Sequence, residues 1–303
     1  MKRTLTIQMI IAIMVFSSTF TLAADWPHWR GPDYNGISTE TDWDPTALNE
    51  PDILWKMPVG TGFSSVSIVD GKVYTMGNEN EDTDVIYCFD AVTGKELWRH
   101  EYPEELNPKW YIGGTSATPT FDDGRVYTIS KSGKIFCLDA KTGDVIWDKT
   151  VSFPPPTWGF AGSALILGEK VIYNVGAAGM ALNKMTGDVI WESGNSESGY
   201  ATPVPYQADG KTLICLFAKD TIIGIDPETG KKLWSYPWKT NHDVNASDPI
   251  IKDNEIFFTS GYGHGCALIR LDGQTPSLVW ENKNMRSQLS GPVLIDGYLY
   301  GFD

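Results

Sequence analysis

Asp90-Ala91-Val92-Thr93-Gly94-Lys95-Glu96-Leu97-Trp98 decides the fold, because the chain keeps returning to it. Asp139-Ala140-Lys141-Thr142-Gly143-Asp144-Val145-Ile146-Trp147 is almost the same nonapeptide. Asn183-Lys184-Met185-Thr186-Gly187 leads to Trp191, and Asp226-Pro227-Glu228-Thr229-Gly230 leads to Trp234. A weaker copy runs from Asp272-Gly273 to Trp280, and Leu54-Trp55 reads as the tail of another. Trp55, Trp98, Trp147, Trp191, Trp234 and Trp280 therefore recur every 43 to 49 residues. One turn and one aromatic at fixed places in such a period mark a propeller blade or a similar array.

Each unit reads as four short strands. In the second, Ala117–Phe121 is an apolar run, Asp122-Asp123-Gly124 a turn and Val126–Ile129 an alternating strand. Lys131-Ser132-Gly133 turns again, Ile135–Asp139 is a third strand, and the repeated loop opens a fourth that contains Trp147. Apolar and β-branched runs bounded by Gly, Asp and Ser are strand–turn–strand patterns. In the loop, Gly is expected at positive φ, where it rejoins the second strand at least cost. The leading Asp accepts backbone amides two and three residues on. The tryptophan is expected to fill the wedge between neighbouring blades, its indole N–H donating to a carbonyl. No unit can bury both faces alone, so the units must stack, and a ring protects their edges. The expectation is an all-β propeller of four-stranded blades: five complete units and a partial sixth beginning at Ser290. A stop at Asp303, where a second strand should give way to a third, suggests truncation.

Residues 1–24 read as a secretory signal peptide: Lys2-Arg3, an apolar run from Ile7 to Phe16, then small residues to Ala23 and Ala24. That run is too short to span a membrane. Asp25 stands where a lipoprotein would carry cysteine, so a soluble exported protein, periplasmic or secreted, is expected. Residues 25–51 read as an ordered cap opened by Trp26-Pro27-His28-Trp29-Arg30-Gly31-Pro32, with His28 a packed structural residue. Residues 52–303 form the propeller, Ile53–Met57 reading as a fourth strand that completes another blade. With 24 basic against 38 acidic residues and a net charge of −14, nucleic acid and anionic lipid are excluded as partners.

The four cysteines, Cys88, Cys137, Cys215 and Cys266, read as buried apolar residues, a Cys215–Cys266 bridge being the one alternative. His100, His242 and His264 lack metal-ligand spacing, and Gly261-Tyr262-Gly263-His264-Gly265 has no following helix, so it is a hairpin loop. No catalytic constellation stands out. The segments joining one blade to the next are richer, and all open on one end of the central channel. Trp110, Trp158, Tyr200, His242, Asn245 and Asp248 are the candidate ligand- or partner-binding residues there. The competing reading is that these aromatics plug the channel and cap cores between blades.

The repeated Asp-Ala-x-Thr-Gly-x-x-x-Trp, with Asp-Gly-x-Val-Tyr strands before it, resembles the pyrroloquinoline quinone (PQQ) repeat of quinoprotein-like β-propellers. The resemblance covers residue 52 to the end. Together with the Trp26–Pro32 start, it is similar to exported BamB-like proteins, which implies a seven- or eight-bladed ring. In this family the repeat residues are structural: Asp90, Gly94, Trp98, Asp139, Gly143, Trp147, Gly187, Trp191, Asp226, Gly230, Trp234 and Trp280. True quinoprotein dehydrogenases add a disulfide between adjacent cysteines and a calcium held by Glu, Asn and Asp. This chain has no adjacent cysteine pair, so neither cofactor nor metal is expected. The leading expectation is a monomeric, non-catalytic envelope scaffold that binds a protein or glycan. The alternatives are a carbohydrate-binding propeller and a PQQ- and calcium-dependent alcohol or sugar dehydrogenase.

Overall fold

Strand propensity and turn chemistry alternate along the chain, and in a computed structural model they build sheets of consecutive antiparallel strands. The structure describes residues 24–41, 44–49 and 52–302; the leader read at residues 1–24 lies, but for Ala24, outside them. The first blade holds β1 (Ser67–Val69), β2 (Lys72–Glu79), β3 (Thr83–Asp90) and β4 (Glu96–Pro103). The second holds β5 (Thr120–Asp122), β6 (Arg125–Ile129), β7 (Lys134–Asp139) and β8 (Val145–Thr150). The third is β9 (Leu165–Leu167), β10 (Lys170–Tyr173), β11 (Met180–Asn183) and β12 (Val189–Glu192). The fourth is β13 (Val204–Ala208), β14 (Lys211–Phe217), β15 (Thr221–Ile225) and β16 (Lys232–Pro237). The fifth is β17 (Ile250–Lys252), β18 (Glu255–Ser260), β19 (Gly265–Asp272) and β20 (Thr275–Asn282), and a two-stranded sixth has β21 (Val293–Ile295) and β22 (Tyr298–Tyr300). Each sheet pairs its strands in sequence order. The only helical element among the described residues is a short 3-10 turn, Pro45–Asn49. Ile53–Met57 departs from expectation: it forms no strand, and Ile53 and Leu54 are exposed.

The repeat does what its chemistry dictates. Asp90 Oδ1 accepts the amides of Val92 and Thr93 at 3.1 and 2.7 Å, and Asp139 does the same for Lys141 and Thr142 at 2.8 and 2.9 Å. Gly94, Gly143, Gly187 and Gly230 all take positive φ. Their second use is contact: a Cβ on Gly143 would lie 2.7 Å from the Trp98 ring, and one on Gly187 2.8 Å from Trp147. Each indole thus lies on the turn of the following blade. Trp98 donates to Ala140 O at 3.1 Å, Trp147 to Lys184 O at 3.0 Å and Trp191 to Pro227 O at 2.8 Å. Trp55 makes the same bond to Ala91 O at 2.9 Å, so it serves the girdle without a strand of its own.

A bulge recurs opposite the tryptophan, where β3, β7, β11, β15 and β19 present Cys88, Cys137, Ala181, Gly224 and Leu268. The position favours small side chains beneath an indole, which accounts for Cys88 and Cys137. All four cysteines are free and buried, so the Cys215–Cys266 bridge is not formed.

An inner ring answers the outer girdle. Where β1, β5, β9 and β13 begin, a backbone amide donates to a side-chain oxygen of the next blade. Ser65 donates to Thr118 Oγ1 at 3.3 Å, Thr118 to Ser163 Oγ at 2.9 Å, Ser163 to Thr202 Oγ1 at 3.0 Å and Thr202 to Asp248 Oδ1 at 2.8 Å. The last three of these amides are buried and would otherwise go unpaired, at a cost of about 1–3 kcal/mol each. A sequence signal exists: Pro119, Pro203 and Pro249 each follow a ring position.

Candidate functional site

Three of the expected residues are brought together on the face where one blade hands over to the next. Trp110 belongs to the first connection, Trp158 to the second and Tyr200 to the third. Trp110 and Trp158 have ring centroids 5.9 Å apart, and Trp158 and Tyr200 6.1 Å, edge to face. The backbone fixes the row. Tyr111 Oη donates to Trp158 O at 3.2 Å, Trp158 N to Tyr200 Oη at 3.4 Å and Tyr200 N to Asn245 O at 3.0 Å. Burial pushes the Tyr200 phenol up to about 12, so it stays protonated. Trp110 is 77% exposed, with Ile112 at 61% two residues on and Phe63, at 57%, 5.8 Å from the Tyr111 ring, whereas Trp158 is half-buried and Tyr200 buried. An exposed indole at the end of a row on fixed backbone is a surface that a partner or ligand would desolvate.

Beside this row lies a small cavity of about 110 Å³, walled by Glu104, Glu105, Lys109, Tyr111, Lys131 and Trp158. Lys131 Nζ donates to Leu106 O at 3.2 Å and Asn107 O at 3.3 Å, and lies 5.0 Å over the Tyr111 ring. Glu104 Oε2 accepts from Ser132 Oγ at 2.7 Å and pairs with Lys134 at 3.3 Å. Deeper in the first blade, Asp84 accepts from Asn78 Nδ2 at 2.8 Å and Tyr102 Oη at 3.2 Å, and burial pushes its carboxyl up to about 6. Tyr111 and Lys131 are not among the sequence candidates, because Tyr111 lies in a connection and Lys131 in a strand turn, and their meeting needs two blades.

The other three candidates are placed differently. His242 is exposed, with its ring 4.6 Å from that of Tyr262. Asn245 is fully buried: Nδ2 donates to Ala218 O, Lys219 O and Trp238 O, and Oδ1 accepts from Ser260 Oγ at 2.8 Å. Asp248 is buried in the inner ring, where Oδ2 also accepts the Trp29 indole N–H at 2.6 Å. Burial pushes its carboxyl up to about 6 against the opposing pull of Arg30.

Among the described residues no group of three His, Cys, Asp or Glu side chains is placed to hold a metal ion. The cysteines are single thiols in separate strands. Among the described residues there is thus neither a disulfide between adjacent cysteines nor such a cluster of carboxylates.

The stacked four-stranded blades with a Trp-on-Gly girdle define a PQQ-repeat β-propeller. The chain belongs to the family described as outer membrane protein assembly factor BamB, matched over residues 81–303. It is similar to quinoprotein ethanol dehydrogenase of Pseudomonas putida, 29% identical over 164 residues, which are 46% of this chain and 26% of that protein. The dehydrogenase subunit of a quinone-dependent alcohol dehydrogenase of Gluconacetobacter polyoxogenes is 27% identical over 61% of this chain and 21% of its own length. The chain thus spans about a quarter of these curated relatives. Its fold is shared with BamB of Moraxella catarrhalis (TM-score 0.54, 20% identity, 79% of this chain and 69% of that one). It is also shared with quinohemoprotein alcohol dehydrogenase of Comamonas testosteroni (TM-score 0.61, 15% identity, 86% and 50%). No helix among the described residues is long and apolar enough to cross a membrane.

Proposed function

We propose that this chain is a non-catalytic propeller of the cell envelope that holds a protein or glycan partner on the face bearing Trp110, Trp158 and Tyr200. The observation that carries the reading is Trp110: an indole 77% exposed yet lined up with two further aromatics on successive connections. Side chains held so before a partner arrives lose little entropy on binding, and aromatic anchors dominate interface energetics. Glu104, Glu105 and Lys109 around the adjoining cavity supply polar contacts for orientation. Membership of the BamB family supports an envelope protein as the partner, and the leader-like start supports export. Trp110→Ala tests the reading, because an exposed side chain can be removed without touching the core. Retention of envelope proteins or soluble glycans should drop at least tenfold while the melting temperature holds. Retention equal to the wild type would sink it.

The curated relatives favour one second reading, a quinone-dependent alcohol or sugar dehydrogenase. A titration with PQQ and calcium, followed by tryptophan quenching and dye reduction with alcohols, decides between the two. Saturable quenching with turnover selects the dehydrogenase.

A further inference from the structure

We infer that the opposite mouth of the channel is a peptide seat, and that its occupant is the chain's own segment Trp26–Ile37, anchored by Asp248. This assignment stands independently of what binds the aromatic face. Trp26 pairs with Ile68 of β1 through both backbone bonds, at 2.7 and 2.8 Å. Pro27 O accepts the amide of Phe121 in β5 at 2.8 Å. Tyr34 packs against the core cluster that contains Leu165 of β9, with the Ile166 backbone beside its phenol. Trp29 reaches Asp248, just before β17, and Arg30 Nη2 donates to Pro292 O, just before β21, at 2.8 Å. Against β13 the same segment walls a cavity of about 440 Å³. A stretch that touches β1, β5 and β9, the residues leading into β17 and β21, and β13 across this cavity spans the innermost strands of the blades. Asp25 accepts the amide of Asp70 in the β1–β2 hairpin at 3.1 Å, which sets the seat at the hairpin end, away from Trp110.

The segment is shaped for its seat. His28 stacks on Tyr34 at 3.9 Å, and Arg30, 8% exposed, also donates to Tyr34 O and Asn35 O at 3.2 and 2.9 Å, closing the segment on itself. A Cβ on Gly31 would fall 2.6 Å from the Trp26 ring. The anchor is the telling residue. Thr118, Ser163 and Thr202 fill the corresponding ring positions with one hydroxyl each, enough for one amide. Asp248 brings a second oxygen, and Trp29 takes it. With this end occupied, a ligand of the channel enters from the aromatic face.

Trypsin cleavage at Arg30–Gly31 in the full chain reads the seat directly, because Arg30 must leave its burial to be cut. Trp29→Phe removes the indole N–H together with the five-membered ring that carries it, and Asp248→Thr restores the hydroxyl used elsewhere in the ring. Both variants should cut at that bond at least tenfold faster than the wild type, at a rate unchanged by low urea, as local opening requires. A wild-type rate equal to the variants', no change in either variant, or a rate that follows global unfolding would overturn the assignment.

Discussion

The joint between the third and fourth blades and the joint between the fourth and fifth grow from the same repeat, yet they close differently. At the former, Trp191 lies on Gly230 of the next blade and donates to Pro227 O. At the latter, Trp234 stays at home: it donates to Tyr206 Oη at 2.9 Å within its own sheet, and nothing lies within 4 Å of a Cβ on Gly273. Two residues explain the change. The fifth blade's turn is Asp272-Gly273, which lacks the Thr-Gly shelf. Opposite Trp234 stands Gly224, where a Cβ would sit 2.0 Å from the indole nitrogen, so the ring drops into the space that Ala181 fills in the third blade. Trp238 closes the joint instead, donating to Ser260 Oγ at 3.0 Å and packing 4.8 Å from Phe258 and 4.4 Å from His264. The inner ring departs at the same joint, with the Asp248 carboxylate in place of a hydroxyl. A repeat position is therefore defined by its receptor on the neighbouring blade as much as by its own residue.

The strongest way to break this contrast is to remove the plates. Trp147→Ala opens a cavity at a girdle joint and should cost about 3–5 kcal/mol by urea unfolding. Trp238→Ala should cost as much if it has taken over the fifth blade's joint, and a loss under 1 kcal/mol would deny it that role.

Glycine substitutions sharpen the comparison. Gly143 and Gly273 both hold positive φ, at 79° and 58°, so alanine strains both backbones. Only at Gly143 does the new Cβ meet an indole. Gly143→Ala should cost about 2–4 kcal/mol, combining overpacking with strain, and Gly273→Ala about 1 kcal/mol. Equal losses would mean that the girdle contact contributes nothing.

The ring joint has a pH signature that its hydroxyl counterparts lack. The Asp248 carboxyl, pushed from its ordinary 3.8 to about 6 by burial, binds a proton in the folded chain that the unfolded chain has released. Its contribution is thus largest below the unfolded value, falls as pH rises from about 4 to about 6, and is flat above. Relative to Asp248→Thr, wild-type stability should decline by up to about 3 kcal/mol across that window. A pH-independent difference would refute the shift. The smallest effect is Tyr206→Phe, which removes only the acceptor of the Trp234 indole and should cost about 1 kcal/mol.

The aromatic site was partly legible in the sequence. Trp110, Trp158 and Tyr200 could be found because every blade connection must emerge at one end, so their meeting follows from the repeat. Asn245 and Asp248 occupy equally suggestive positions, but their side chains are consumed by carbonyls, an amide and an indole that come from other blades or from the N-terminal segment. That distinction depends on the direction each side chain takes, and sequence spacing does not encode it.

The sequence by itself determined the blade, its turns, its tryptophan plates and the absence of long helices, because these follow from short-range alternation and from the φ demands of Gly. Only the tertiary structure decided which neighbour receives each tryptophan, that hydroxyls and one carboxylate form an inner ring, and that Trp26–Ile37 seats across the axis. Those outcomes join residues such as Trp29 and Asp248, 219 positions apart, whose complementarity exists only once the blades have stacked.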